Sequence, residues 1–166
     1  MLKKLIILLF AIAPLAAFAQ EKIAFINTQE IFSVMPELKG IESQMATKQQ
    51  EVQKNAQALE TEYNKKIEEF SKVTNATDAV KQDQQKQLAQ IQERYQVFVQ
   101  NSQKEAQEMQ QKLIAPVHKK IADAIKAVGD EKGFIYILDL AAGAIVYQSD
   151  KATNATPLVK AKLGIK

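Results

Sequence analysis

The sequence predicts an α+β protein, mostly α, in which a long antiparallel coiled-coil helical hairpin projects from a small β-containing oligomerisation body. Three observations predict this class. Residues 38–73 and 80–128 repeat apolar side chains every three or four positions, the spacing of a single helical face. Between them lies Thr74-Asn75-Ala76-Thr77-Asp78, a cluster of poor helix formers able to end one helix and cap the next. Strand-like runs are confined to the two ends of the chain.

Residues 1–19 read as a cleaved secretory signal. Lys3 and Lys4 precede an apolar run through Ile12, and Ala17-Phe18-Ala19 supplies a small-residue cleavage site. The run is shorter than the roughly 20 apolar residues that a membrane span needs. Cleavage after Ala19 shortens the chain from 166 to 147 residues and, by removing two lysines, lowers the formal charge from +3 to +1. A chain this close to neutral gives no electrostatic basis for nucleic acid as a partner. It has no cysteine, which excludes disulfides and a lipidated cysteine, so stability must come from packing or assembly.

Residues 20–37 and 117–166 are assigned to the body and residues 38–116 to the hairpin arm. Ile23-Ala24-Phe25-Ile26 is a short β-rich run, Asn27-Thr28 opens a helix over residues 29–34, and Pro36 separates that helix from the first arm. The outgoing stripe runs through Leu38, Ile41, Met45, Val52, Ala56 and Leu59 to Val73. The returning stripe runs through Leu88, Ile91, Ser102, Met109, Leu113 and Ile121 to Val128. At about 1.5 Å per residue an arm reaches roughly 50 Å, too long to be enclosed by the remaining residues. Pro116 removes one helical hydrogen bond, to the carbonyl of Lys112, and predicts a kink rather than a new helix start.

Gly133 is the expected stop of the second arm, because strand-like sequence follows it at once. Residues 134–140 form the strongest strand candidate. Ala141-Ala142-Gly143 reads as a turn and Ile145-Val146-Tyr147 as the partner strand. Both faces of the first of these strands are apolar up to Asp139, which implies cover on both sides. Thr156 is the expected cap of a last helix over residues 158–163, with Pro157 at its first position. The body contains roughly the 60 to 70 residues at which a lone core is marginal. An obligate oligomer with a shared core is therefore expected, and Ile23, Phe25, Phe134, Tyr136, Leu138, Ile145 and Tyr147 are the candidates for that core.

The order of these elements resembles the Skp (OmpH) family of periplasmic chaperones. The resemblance is carried by the signal, by Ile23-Ala24-Phe25-Ile26-Asn27, by the Gln/Lys/Glu-rich hairpin, by Leu113-Ile114-Ala115-Pro116-Val117 and by Gly133-Phe134-Ile135-Tyr136-Ile137-Leu138-Asp139. It covers the whole mature chain. It implies a homotrimer whose β body carries three hairpins around a central cavity, and an ATP-independent holdase that keeps unfolded outer-membrane proteins from aggregating in the periplasm. The alternative is a coiled-coil envelope adaptor or spacer that binds a folded partner.

Candidate client-binding residues lie in the distal half of the arms: Tyr63, Ile67 and Phe70 on the outgoing helix, Tyr95, Phe98 and Val99 on the return. Val97, Phe98 and Val99 cannot all enter a narrow seam, so at least one is expected at the surface. Near the tip, Lys65, Lys66, Lys72, Lys81 and Lys86 are offset by Glu68, Glu69, Asp78 and Asp83, which leaves little net charge for contact with an anionic membrane surface.

No enzymatic constellation is expected. His118 is the only histidine, no cysteine accompanies it, and no glycine-rich phosphate loop occurs. Glu68-Glu69 and Asp130-Glu131 are adjacent on helices, so the carboxylates of each pair diverge. No cofactor or metal is expected. Asn75-Ala76-Thr77 and Asn154-Ala155-Thr156 match a glycosylation pattern, but turn and cap chemistry accounts for both.

Overall fold

The computed structural model describes residues 22–165, so the signal and its cleavage site lie outside the described residues. In chain order it contains strand β1 (Ile23–Ile26), helix α1 (Thr28–Ser33), helix α2 (Glu37–Ser71), helix α3 (Asp78–Lys132), strand β2 (Tyr136–Asp139), a 3-10 turn (Leu140–Ala142), strand β3 (Thr153–Asn154) and helix α4 (Thr156–Leu163). The chain divides into two units, one of Ser33–Lys120 and one of Ile121–Lys166 with the described residues up to Phe32.

The first unit is a two-helix hairpin. Asp78 places a carboxylate in the first turn of α3, where the helix dipole favours negative charge, and the Thr77 hydroxyl accepts from Val80 N at 3.4 Å. Cross-helix bonds fix the antiparallel register. Along α2 from Glu37 through Lys48 to Tyr63, the partners on α3 descend from Lys120 (2.5 Å) through Glu105 (2.9 Å) to Gln92 (2.9 Å). Helix α3 runs without interruption through Pro116. It stops at Gly133, whose φ of 65° is a left-handed conformation that glycine adopts without a Cβ clash, and Phe134 N closes the end on Gly129 O at 3.0 Å.

The second unit is built on a three-stranded sheet in the order β2-β1-β3, with both pairings parallel. The register sets Ile23 beside Tyr136, Ala24 beside Ile137, Phe25 beside Leu138 and Ile26 beside Asp139. Because side chains alternate across a strand, Ala24, Ile26 and Ile137 share the inner face. Ala24 and Ile26 are buried there, as are Ile31 of α1, Ile121, Ala124 and Val128 of α3 and Val159 of α4. The backbone of Gly129 comes so near Ile137 that a Cβ there would lie 3.6 Å from Ile137 Cδ1. Ile23, Phe25, Tyr136 and Leu138 share the other face, and among the described residues none covers it fully: Tyr136 retains 59% of its accessible surface.

Two sequence expectations are corrected here. Ile145-Val146-Tyr147 is not a strand, and the neighbour of β2 is β1. The Asp139 carboxylate accepts from Ala141 N at 3.0 Å, the chain winds into a 3-10 turn, and Gly143 at φ 69° carries it away from β2 before a hairpin can close. Strand β3 forms later instead, on the opposite edge of β1, where Ala155 N donates to Phe25 O at 2.8 Å. Nor is Thr156 a helix cap. Its hydroxyl accepts from Asn27 N at 3.1 Å, and Asn154 Oδ1 accepts from Thr156 N at 2.9 Å in its place.

Asp139 joins the ends of this unit. Its carboxylate also accepts from Thr28 N at 3.1 Å and from the Thr28 hydroxyl at 2.5 Å, which ties the start of α1 to the end of β2. Burial works against the charged form, but the Thr28 hydroxyl and the two backbone donors outweigh it and hold the carboxyl below its ordinary value of 3.8. The stabilisation is therefore complete above that ordinary value and is lost as pH falls through the depressed folded value. Asp139→Ala is expected to cost about 2 kcal/mol at neutral pH, the loss of charge-assisted hydrogen bonds. The difference from the parent should shrink in acid, and urea unfolding at pH 7 and pH 3 measures both.

Candidate functional site on the helical hairpin

A helix that meets one neighbour buries at most a narrow stripe, and α2, 35 residues long and apolar along one stripe, contains no fully buried residue. On the α3 side of the hairpin Ile91, Ser102 and Val117 are buried, and they mark where the seam is tightest. The stripe that joins the helices thus leaves apolar surface open along its edges.

Two open grooves follow the seam, each of about 670 Å³. The first brings Tyr63 and Tyr95 together beside Leu59 and Ile91, and Gln92 Nε2 donates to the Tyr63 hydroxyl. The second is lined by Phe98 and Val99 with Met45, Val52, Ala56 and Ala106. Four of the six candidate residues therefore line grooves. Ile67 and Phe70 lie farther along α2 and line neither; Ile67 is 43% exposed, and Phe70 is half-buried with the Lys66 ammonium 5.7 Å above its ring. Of the three consecutive residues around Phe98, Val97 is the surface one at 49% exposure, while Val99 is half-buried.

Glutamines also line the grooves, Gln49, Gln53 and Gln103 in one, Gln92 and Gln96 in the other. Their signal was their spacing of three or four beside the apolar stripe. Across the seam the environment changes. Arg94 pairs with Glu62, and Lys48 with Glu105, which raises the Lys48 pKa chiefly through that hydrogen bond. Toward the tip Lys66 pairs with Glu69, Lys72 with Glu68 and Lys81 with Asp78. The Glu69 carboxyl is held below its ordinary value chiefly by Lys66.

In the sheet unit the apolar surface is broader. Ile23, Ile135, Tyr136 and Leu138 are exposed, Phe25, Phe134 and Ile145 are half-buried, and Val146 and Tyr147 are 100% and 82% exposed. Among the described residues no cluster of His, Asp and Glu could hold a metal ion, and no helix is long and apolar enough to cross a membrane.

A family model described as "Outer membrane protein (OmpH-like)" matches residues 22–163. No curated protein gives a significant match. Among solved structures, a protein from Caulobacter crescentus CB15 described as an OmpH-like outer membrane chaperone is similar with a TM-score of 0.70 and 22% sequence identity. The match covers 89% of this chain and 86% of that one, so the likeness extends over nearly the whole architecture.

The seam and its open edge should respond differently to charge. Ile91→Asp buries an unpaired carboxylate and is expected to lower hairpin stability by about 3 kcal/mol or more. Val97→Asp places the same charge at the surface and should change stability by no more than about 0.5 kcal/mol. Thermal melts followed by circular dichroism distinguish the two.

Proposed function

We propose, from the premise that this chain belongs to the OmpH-like outer membrane protein family, that it is an ATP-independent periplasmic holdase for unfolded outer-membrane proteins. One observation carries this function: a long hairpin whose apolar stripe is incompletely covered, so that Tyr63, Tyr95, Phe98 and Val99 remain accessible along open grooves. An unfolded barrel protein exposes alternating apolar faces and unpaired edges, the features that drive aggregation. A holdase lowers the free concentration of that state by binding it in preference to the folded one. Shallow, repeated apolar contacts suit many client sequences, whereas a single deep pocket selects one. No nucleotide site or catalytic group enters this scheme, and the protein is not an enzyme in it.

The working form is a homo-oligomer, and the family resemblance favours a trimer. Support comes from the sheet, whose outer face of Ile23, Phe25, Tyr136 and Leu138 is too apolar to remain in water. Further copies of the chain cover it, with Phe134, Ile145 and Tyr147 at the same junction. Each copy then contributes one hairpin to a common client site. The export signal directs the protein to the periplasm.

Light scattering of an outer-membrane barrel protein diluted from urea tests the activity. The purified protein should suppress scattering without nucleotide, and Val99→Asp should suppress it less while keeping its helical content. Absence of suppression, together with a stable complex of defined stoichiometry with a folded envelope protein, would establish the adaptor instead. Sedimentation tests the assembly. The parent chain should sediment as a trimer at micromolar concentration, and Tyr136→Glu combined with Leu138→Glu should shift it to monomer; a folded parent monomer sinks the shared core.

A further inference from the structure

The two sides of the hairpin seam differ in chemistry, and the difference points to how a client is held. On α2 the groove-lining positions 42, 46, 49, 53, 60 and 64 recur at helical spacing, as do 92, 96, 99, 103 and 106 on α3. Both grooves therefore lie on one side of the seam and form one furrow. Its floor is apolar, and its walls carry the exposed amides of Gln49, Gln53, Gln96 and Gln103. Only Glu42, Lys48 and Glu60 bring charge to its rims.

The opposite side carries more charge among its glutamines and apolar residues. Glu62, Lys66, Glu93 and Arg94 line one shallow hollow there, and Glu105, Glu108 and Lys112 another. The Arg94 to Glu62 pair bridges the helices on that side, and Lys48 reaches across from the rim of the furrow to Glu105.

We propose that the furrow is the client-binding face and that it takes one extended, uncharged segment of an unfolded outer-membrane strand. This deepens the holdase function proposed above and rests on it. Three features select that occupant. From Met45 to Asn64 the furrow extends for about 28 Å at the helical rise of ~1.5 Å per residue. That length holds about eight to nine residues of extended chain at ~3.3 Å each, close to the 9–11 of a membrane-spanning strand. The apolar floor meets the lipid-facing side chains of such a strand, which alternate with polar ones. Each glutamine amide offers both a donor and an acceptor, the pair that the unpaired backbone of a strand requires. A charged wall would exclude this neutral occupant, because it would leave ions desolvated without partners.

Paired glutamine substitutions test the assignment with matched charge. Gln53→Glu with Gln96→Glu places two carboxylates on the furrow; Gln44→Glu with Gln90→Glu places two on the opposite side of the same helices. The protein has no tryptophan, so binding to a urea-unfolded eight-stranded outer-membrane barrel can be followed by the tryptophan fluorescence of the barrel itself. The furrow pair is expected to weaken binding roughly ten-fold, or about 1.4 kcal/mol, and the control pair less than about two-fold, with equal helicity in both. Equal losses, or none, with an intact parent activity overturn the furrow while leaving the holdase standing. A parent chain that fails to bind the barrel overturns both.

Discussion

A pair of helices gives every residue only one neighbouring helix, so that only positions at the centre of the seam can be covered on nearly all sides. The hairpin inherits this constraint throughout its length. Ile91 and Ser102 reach near-complete burial because they sit at the centre of the seam, whereas Tyr63, Tyr95 and Val99 stay open at its edge. A third helix would close these grooves and make a more stable bundle, but it would also remove the surface on which the proposed activity depends. Stability and accessibility are set against each other at each turn of the same stripe.

The sheet unit solves a different problem. Its strands come from distant parts of the chain, and short side-chain bonds hold them in register: Asp139 on Thr28, and Thr156 receiving Asn27 N. One face of the sheet is sealed by Ile31, Val128 and Val159, and the other retains an exposed apolar surface. The hairpin is open along its furrow, where a transient occupant is proposed; the sheet is open on one face, where a permanent one is proposed. The same composition, apolar residues with few charges beside them, serves both because the surfaces differ in breadth.

Much of the hairpin was legible because helical periodicity is local. The stripe from Leu38 to Val73, the polar break at Thr74 to Asp78 and the stop at Gly133 each show within a few residues, and all three appear in the structure with small shifts of boundary. The sheet was less legible. Strand propensity marks Ile145-Val146-Tyr147 strongly and Thr153-Asn154 hardly at all, yet the second pair forms the strand, since Asn154 and Ala155 dock on the backbone of β1. Pairing of β1 with β2 rather than with a hairpin partner depends on a turn set by Asp139 and Gly143, which propensity does not reveal. On the arms the apolar stripe was readable, but not the side of the seam on which each residue lies. That follows from the register between helices, so Tyr63 and Tyr95 meet in one groove while Ile67 and Phe70 stand outside both.

The parallel pairing of β1 with β2 also orders events in time. The Thr28 to Asp139 bond joins residues 111 apart, and Asn27 to Thr156 joins residues 129 apart, whereas Tyr63 meets Gln92 across only 29. Closing a short loop costs less chain entropy than closing a long one, so hairpin contacts near the tip form early and the sheet late. In a chain made from its amino end, β1 exists early and must wait for nearly all of the following residues before its partners exist. For that interval Ile23 to Ile26 is itself an unpaired apolar strand, exposed to the same hazard of aggregation as the unfolded outer-membrane proteins that the hairpin is proposed to hold.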